Sequence, residues 1–174
     1  MTQNPSKIVF LDRDGVINQH RDDYVKSLDE FVLLPNSLLA ISKLNKMGFK
    51  IIIITNQSVI NRKIIHLETL HIIHNFLIET VKKNHGEISK IYFCPHTPGD
   101  NCNCRKPKPG LLLQACKKWN VDFKKSFMIG DRWKDIQAGE NVGCKTIYLD
   151  YSYKDMKPEN PDYITDTLLN ATYI

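Results

Sequence analysis

The run Phe49-Lys50-Ile51-Ile52-Ile53-Ile54 constrains the fold of this chain more than any other stretch. Its β-branched residues favour a strand, and a continuous apolar run is typical of a strand buried on both faces, as in parallel sheets. Four shorter apolar runs also predict strands, at 7–12, 90–93, 126–130 and 144–149. Helical spacing of apolar residues and helix-start signals lie between them, at 36–48, 66–84, 109–119 and 135–140.

Strands that alternate with helices predict the α/β class, with a doubly wound, mainly parallel sheet. Residues 18–35 are predicted to form a loop or hairpin, and 56–63 a loop. The polar tail, 151–174, has a weak last element near 163–169. At 174 residues the chain is expected to form one domain, 1–174, with no segment long enough for a separate cap domain.

The charge and the apolar runs narrow the range of partners. The net charge of +5, from 24 basic and 19 acidic residues, fits a phosphorylated substrate, and the missing basic run argues against nucleic acid. The longest apolar run, Ile51 to Ile54, is far too short to cross a bilayer. Residues 1–7 are polar and lack the apolar core of a signal peptide. We therefore expect a cytoplasmic monomer that binds neither membrane nor nucleic acid.

Two carboxylates follow the first predicted strand. Asp12 and Asp14 share one side of an extended chain, and such close like charges raise each other's pKa unless a cation lies between them. The pattern predicts a divalent metal site, with Asp12 as nucleophile and Asp14 as proton-transfer partner; the alternative is a surface turn with two solvated aspartates. Arg13 alternates away from both and is expected to form a structural pair.

Three more polar stretches follow predicted strands: Thr55-Asn56-Gln57-Ser58, Arg105-Lys106-Pro107 and Gly130-Asp131-Arg132. The carboxyl ends of parallel strands meet at one edge of a sheet, where open α/β sheets bind ligands. Together with the aspartates they supply a nucleophile, a hydroxyl donor, a fixed cation and a metal ligand, which is the set that phosphoryl transfer needs. Each also has an ordinary alternative: strand end for Thr55, solvated loop cation for Lys106, turn former for Asp131.

The motif Cys94-x-His96-x5-Cys102-x-Cys104 offers three sulfurs and one imidazole. Such a closed set suits tetrahedral Zn²⁺, and the turn-rich residues 97–101 let the chain double back between the two pairs. A closed set predicts a structural zinc that fixes the loop presenting Arg105 and Lys106; the alternative is three unliganded thiols. The other two cysteines, and the histidine pair His71 and His74, are interpreted as core or surface residues.

The combined motifs resemble the haloacid-dehalogenase-like phosphohydrolase superfamily. The segments that carry the resemblance are 11–18, 55–58, 94–96, 102–107 and 130–132. They are most similar to the D,D-heptose 1,7-bisphosphate 7-phosphatases, and histidinol-phosphate phosphatases share most of them. The resemblance covers about residues 7–150 and implies a Rossmann-like fold without a cap and with a zinc-stapled loop.

The resemblance also implies a mechanism. Asp12 attacks phosphorus to form an aspartyl-phosphate, and Asp14 protonates the leaving oxygen and later takes a proton from water. Mg²⁺ is implied to bind Asp12, the backbone carbonyl of Asp14, and Asp131. Thr55 and Lys106 are implied to hold the phosphoryl oxygens.

The resemblance further implies a small phosphorylated sugar as substrate, bound by a second set of residues: Asn56, Gln57, Ser58, Arg105 and Arg132. The expected reaction removes the 7-phosphate of D-glycero-D-manno-heptose 1,7-bisphosphate, in synthesis of activated heptose for lipopolysaccharide or surface glycan. Alternatives are a histidinol-phosphate phosphatase, a polynucleotide 3′-phosphatase and a non-catalytic zinc-binding module. Asp135 is left with two interpretations, a partner of the metal ligands or a helix N-terminal carboxylate.

Overall fold

Six parallel strands form a single sheet in the computed structural model, which describes residues 6–174. The strands are β1 (Ile8–Leu11), β2 (Lys50–Asn56), β3 (Lys90–Cys94), β4 (Phe127–Gly130), β5 (Lys145–Leu149) and β6 (Tyr163–Thr165). Their order in the sheet is β3-β2-β1-β4-β5-β6, and every pairing between neighbours is parallel. Residues 1–5, on which part of the signal-peptide expectation rests, lie outside the described residues.

In residues 6–174, five α-helices connect and cover the strands: α1 (Ser37–Lys46), α2 (Leu67–Lys83), α3 (Gly110–Trp119), α4 (Trp133–Glu140) and α5 (Leu168–Ala171). Short 3₁₀ turns lie at Pro98–Asp100 and Phe123–Lys125. Among the described residues, none of the helices has the length and apolar content needed to span a membrane.

The central strands are buried on both faces. Val9 and Leu11 pack into one apolar cluster, which includes residues of α1, α2 and α5. Ile8 and Phe10, which alternate with them along β1, pack into a second cluster with residues of α3 and α4. Because successive side chains of a strand point to opposite faces, this division places helices on both sides of the sheet. The predicted doubly wound α/β fold is confirmed.

Within residues 6–174 no separate cap domain covers the carboxyl edge of the sheet, as predicted. Residues 18–35 form a loop with one antiparallel bridge, between Asn18 and Leu33, rather than a full hairpin. The weak last element is resolved into β6 and α5. Helix α4 begins at Trp133, two residues before the predicted start, because Asp135 accepts the hydrogen bond that begins the helix.

Candidate active site

The polar residues that follow β1, β2 and β4 meet at the carboxyl edge of the sheet. Asp12 is fixed there because its backbone N–H donates to Ile129 O of the neighbouring strand at 3.0 Å. A cavity of about 410 Å³ opens over this edge, lined by Asp12, Asp14, Lys106 and Asp135 among others. The cavity lies at the carboxyl ends of β1 and β4, on either side of which successive strands are added in opposite directions across the sheet. This topological switch point is the usual ligand position in open α/β sheets.

Lys106 is a buried cation at the floor of this cavity. Its Nζ lies 2.8 Å from Asp12 Oδ1 and 2.6 Å from Asp135 Oδ1, and donates to Ile54 O at 2.6 Å. Burial alone would lower the pKa of Lys106, but the two carboxylates raise it above its ordinary value. Asn56 holds the Lys106 backbone, accepting from its N–H at 3.1 Å and donating to its carbonyl at 3.2 Å. Lys106 is therefore a permanent charge and not a solvated loop cation.

The two aspartates of the first motif lie in different electrostatic environments. Burial raises the pKa of Asp12 to about 6; Lys106 opposes this shift, whereas Asp135 and Asp14 add to it. Burial also acts to raise the pKa of Asp14, but Arg13 and hydrogen bonds from Asn18 and others lower it on balance. Asp14 therefore contributes to the raised pKa of Asp12, as expected, whereas the pKa of Asp14 itself is lowered because a cation, Arg13, lies against it.

Arg13 explains the difference, because its guanidinium pairs with Asp14 itself. Arg13 Nη2 lies 2.9 Å from both carboxylate oxygens of Asp14, and Nε lies 3.2 Å from Oδ1. Asn18 donates to Asp14 Oδ1 at 2.8 Å, and Gln57 donates to Asp14 Oδ2 at 2.8 Å. The sequence-based expectation that Arg13 points away from both aspartates is therefore wrong. Strand alternation ends at Leu11, so the two side chains no longer follow it.

Asp131 presents a buried carboxylate with few partners. Neither oxygen accepts a short, well-directed hydrogen bond from the described residues, Arg132 Nε forms a long ion pair with Oδ2 at 3.5 Å, and the Tyr153 hydroxyl lies nearby. Burial, then Asp135 and Asp12, raise the pKa of Asp131 to about 8. Gly15, at φ +86°, leaves room for this carboxylate, since a methyl group there would overlap Asp131 Oδ2. A buried carboxyl group with only one long ion pair is stabilised in its ionised form by a bound cation, so Asp131 is a candidate metal ligand.

The carboxylates of Asp12, Asp131 and Asp135 approach within 4.8 Å of one another. Both oxygens of Asp135 are engaged, one by Lys106 Nζ and one by the backbone N–H of Arg132 at 3.1 Å. The second contact corresponds to the predicted alternative in which Asp135 is a helix N-terminal carboxylate. Asp12 and Asp131 therefore hold the available oxygens, a hard donor set that fits Mg²⁺. The Asp14 carboxylate faces Arg13, which leaves the backbone carbonyl of Asp14 as the atom for the predicted contact.

The unusual pKa values predict how the stability of the Mg²⁺-free protein depends on pH. In the folded state the pKa values of Asp131 and Asp12 are about 8 and about 6, above their ordinary value. The folded protein therefore binds protons at these two groups more tightly than the unfolded protein does. The free energy of unfolding should therefore fall as pH rises from about 6 to about 8. Saturating Mg²⁺ should flatten this dependence, because it stabilises the ionised carboxylates. Urea unfolding with and without Mg²⁺ measures the effect, and a metal-free midpoint that rises over this range would contradict it.

The four residues of the Cys/His motif form a compact cluster. The sulfurs of Cys94, Cys102 and Cys104 lie 3.1–3.7 Å apart. His96 Nδ1 lies 3.5 Å from Cys94 Sγ and 3.2 Å from Cys104 Sγ. A tetrahedral Zn²⁺ site with Zn–S bonds of about 2.3 Å has edges of about 3.8 Å, close to these distances. The cluster could hold a zinc ion. It also adjoins the active site, because Arg105 Nη1 donates to His96 O at 3.0 Å.

Four of the five predicted substrate residues line the cavity: Asn56, Gln57, Arg105 and Arg132. The Asn56 side chain is hydrogen-bonded to the Lys106 backbone and that of Gln57 to Asp14, so these two support the site residues. Ser58 is buried and is not part of this lining. Thr55 is buried below it, with Oγ1 accepting from Gln57 Nε2 at 2.9 Å.

Residues beyond β5 contribute to the site and were missed by the sequence analysis. The Arg132 guanidinium lies 3.9 Å from the centre of the Tyr153 ring, and Arg132 Nη1 donates to Asp155 at 3.2 Å. A neighbouring cavity of about 850 Å³ shares Arg132, Asp155 and His20 with the first. The signal was available, because residues 150–155 follow a strand just as Asp12 and Asp131 do.

Comparisons with known proteins agree with this geometry. The model of the haloacid dehalogenase-like hydrolase family matches residues 4–143. A D-glycero-β-D-manno-heptose-1,7-bisphosphate 7-phosphatase of Neisseria meningitidis is 44% identical over 139 residues, 80% of this chain and 74% of that protein. A D-glycero-α-D-manno-heptose-1,7-bisphosphate 7-phosphatase of Photorhabdus laumondii is 35% identical over 156 residues, 86% of this chain and 85% of that protein.

A solved structure extends the similarity to the whole fold. The crystal structure of D,D-heptose 1,7-bisphosphate phosphatase from B. bronchiseptica, complexed with magnesium and phosphate, superposes with a TM-score of 0.89. The two chains are 33% identical, and the match covers 96% of each. With the family model matched over most of its length, this chain belongs to the haloacid dehalogenase-like hydrolase family.

Proposed function

We propose that this protein is a Mg²⁺-dependent phosphatase that removes the 7-phosphate of D-glycero-D-manno-heptose 1,7-bisphosphate. One observation carries the chemistry: Asp12 and Lys106 line one cavity, and the buried Asp131 carboxylate lies within 4.8 Å of that of Asp12. That set pairs a nucleophile with a fixed cation and a metal ligand. The relatives that bear this name support the substrate.

Asp12 is the proposed nucleophile. At neutral pH a pKa of about 6 leaves the carboxylate mostly ionised. It attacks phosphorus, the bond from phosphorus to the sugar oxygen breaks, and an aspartyl-phosphate is left, with Lys106 holding phosphoryl oxygens. The Thr55 hydroxyl is the second proposed donor, although in this structure Thr55 is buried outside the cavity lining and its oxygen accepts from Gln57. Asp12, Asp131 and the Asp14 carbonyl would hold Mg²⁺, which would further neutralise the phosphoryl charge.

Asp14 is the proposed proton carrier. Its lowered pKa suits the second step, in which it takes a proton from the water that hydrolyses the aspartyl-phosphate. In the first step it must carry a proton to the leaving oxygen. The negative charge of an arriving phosphate favours that protonated form, because like charges raise the pKa of a carboxyl group.

The sugar and its second phosphate are proposed to lie over the outer part of the cavity. Arg105 and Arg132 both line it, and a guanidinium binds phosphate or hydroxyl oxygens in a planar fork. The adjoining cavity, which Arg132 and Tyr153 also line, leaves room for a substrate larger than phosphate alone.

A panel of phosphate esters with Mg²⁺ tests the proposed substrate. We expect kcat/KM for heptose 1,7-bisphosphate to exceed that for histidinol phosphate by about 100-fold or more, because only the bisphosphate places a second anion near the two arginines. Phosphate release from both anomers, histidinol phosphate and a 3′-phosphorylated oligonucleotide gives the comparison. Equal or better turnover of histidinol phosphate would contradict the proposal.

We also propose that Zn²⁺ fills the Cys/His cluster in a structural role. Cys102→Ser should lose bound zinc and lower the free energy of unfolding by several kcal/mol, because the binding free energy of a structural zinc contributes directly to folding. Activity should fall as the loop that carries Arg105 and Lys106 loosens. Metal content by mass spectrometry and thermal unfolding measure the change. Cys116→Ser, outside the cluster, serves as control, and a zinc-free wild type of unchanged stability would argue against the proposal.

A further inference from the structure

The guanidinium of Arg13 has a second contact, on the side away from Asp14. Arg13 Nη1 lies 3.2 Å from His74 Nε2, although 61 residues separate them in the chain. Both side chains are buried, Arg13 at 1% exposure and His74 at 5%. His74 of helix α2 is thus linked through Arg13 to Asp14, the carboxylate proposed to carry the proton.

The chemistry of the two groups determines which one donates. A guanidinium carries only N–H donors, so His74 Nε2 must be the acceptor and the ring must carry its proton on Nδ1. Burial, and then the charge of Arg13, lower the pKa of His74 to about 3, which agrees with a neutral ring. The ring is held in place by edge-on packing against Phe93, with centroids 5.8 Å apart.

The Arg13 guanidinium contacts four side chains. The Phe31 ring lies 5.7 Å from the guanidinium carbon, and Gln57 Oε1 accepts from Nη2 at 3.2 Å. His74 is the acceptor for Nη1, whereas Nε and Nη2 bond to Asp14. Without His74, a buried Nη1 would lose its acceptor and the guanidinium could rotate to find another.

We propose that His74 is a positioning residue for phosphoryl transfer: by accepting from Arg13 it holds the guanidinium against Asp14 and so orients the proton-carrying carboxylate. This inference rests on the proposed function, in which Asp14 protonates the leaving oxygen. It assigns no contact between His74 and the substrate. The orientation of the Asp14 carboxylate then depends on helix α2 as well as on the loop that carries Asp14.

The leaving group distinguishes positioning from a general structural role. A sugar alkoxide needs a proton as it leaves, whereas p-nitrophenolate leaves without one. Since kcat/KM reports the steps up to leaving-group departure, His74→Leu should lower it about tenfold or more for heptose bisphosphate and less than about threefold for p-nitrophenyl phosphate. His74→Gln, which restores an acceptor oxygen, should recover the sugar reaction to within about threefold of wild type.

Two controls keep the test specific. His71→Leu alters an exposed histidine on the same helix that also packs against Phe93, and should change neither reaction. Asp14→Asn should show the selective loss more strongly than His74→Leu. Equal losses for both substrates in His74→Leu, or no rescue by His74→Gln, would overturn the inference. Equal losses in Asp14→Asn would overturn it together with the proposed proton transfer.

A measurement on the wild type covers the case in which His74→Leu does not fold. Nitrogen-15 NMR of the histidine rings should show His74 neutral, with the proton on Nδ1 and none on Nε2. A proton on Nε2 would exclude the Arg13 contact and overturn the inference. If the wild type releases phosphate from neither substrate, the proposed function fails, and the tautomer still decides whether His74 holds Arg13.

Discussion

Asp12→Asn is expected to reduce phosphate release by about 10⁴-fold or more, the scale of loss when a catalytic nucleophile is removed. The amide is nearly the same size as the carboxylate but is a far poorer nucleophile at phosphorus. It also leaves Mg²⁺ one charge short. Steady-state phosphate release with saturating Mg²⁺ measures the loss. Zinc content should be unchanged, because the Cys/His cluster shares no ligand with Asp12.

The control for this variant is Asp29→Asn, a change of the same chemistry at an exposed aspartate outside the cavity. It should retain full activity. Retained turnover in Asp12→Asn would remove the nucleophile assignment, whereas loss of activity in both variants would indicate damage unrelated to the chemistry.

Lys106→Met is expected to have the second largest effect, on activity and on stability together. Asp12 and Asp135 would lose the buried cation between them, which costs about 3–5 kcal/mol when one partner of a buried ion pair is removed. Phosphate release should fall about 10²–10³-fold, because a donor to the phosphoryl oxygens is lost. Unfolding in urea and steady-state kinetics measure the two effects.

The stability loss in Lys106→Met should depend on pH in a defined direction. Without the ammonium the pKa of Asp12 rises further above its unfolded value, so the folded state binds a proton there more tightly. The deficit should therefore shrink as pH falls and grow as pH rises. Lys117→Met, at an exposed helix position, should show no deficit. A Lys106→Met protein as stable as wild type at neutral pH would contradict the buried-pair argument.

The strand-end pattern identified most of the residues that the fold brings together, for one physical reason. Parallel strands all end at one edge, so residues directly after β1, β2 and β4 must be neighbours whatever the loops do. Asp12 and Asp131 were located by this rule alone, and Lys106 was expected there from the loop after β3. Tyr153 and Asp155 obey the same rule after β5 but were passed over as a polar tail.

The position of the Arg13 side chain could not be predicted from strand alternation. Alternation between strand faces places Arg13 opposite its neighbours only while the chain is extended. The chain turns directly after β1, where Val16, Ile17 and Asn18 all donate their backbone N–H groups to Arg13 O. The turn swings the guanidinium onto Asp14, and no pattern in the sequence linked it to His74 on a distant helix.

The sequence by itself determined the α/β class, the carboxyl-edge site and the candidate metal-binding motifs, because these follow from periodicity and from residues close together in the chain. The residues of those motifs also carried the resemblance to the family. Only the tertiary structure decided how Asp12 and Asp14 differ: Lys106 lies against one, and Arg13, held by His74, lies against the other. It also decided that both oxygens of Asp135 are engaged by Lys106 and the Arg132 N–H, whereas Asp131 has only one long ion pair, with Arg132. Electrostatic environments depend on burial and on neighbours brought together from distant segments, and those exist only once the chain has folded.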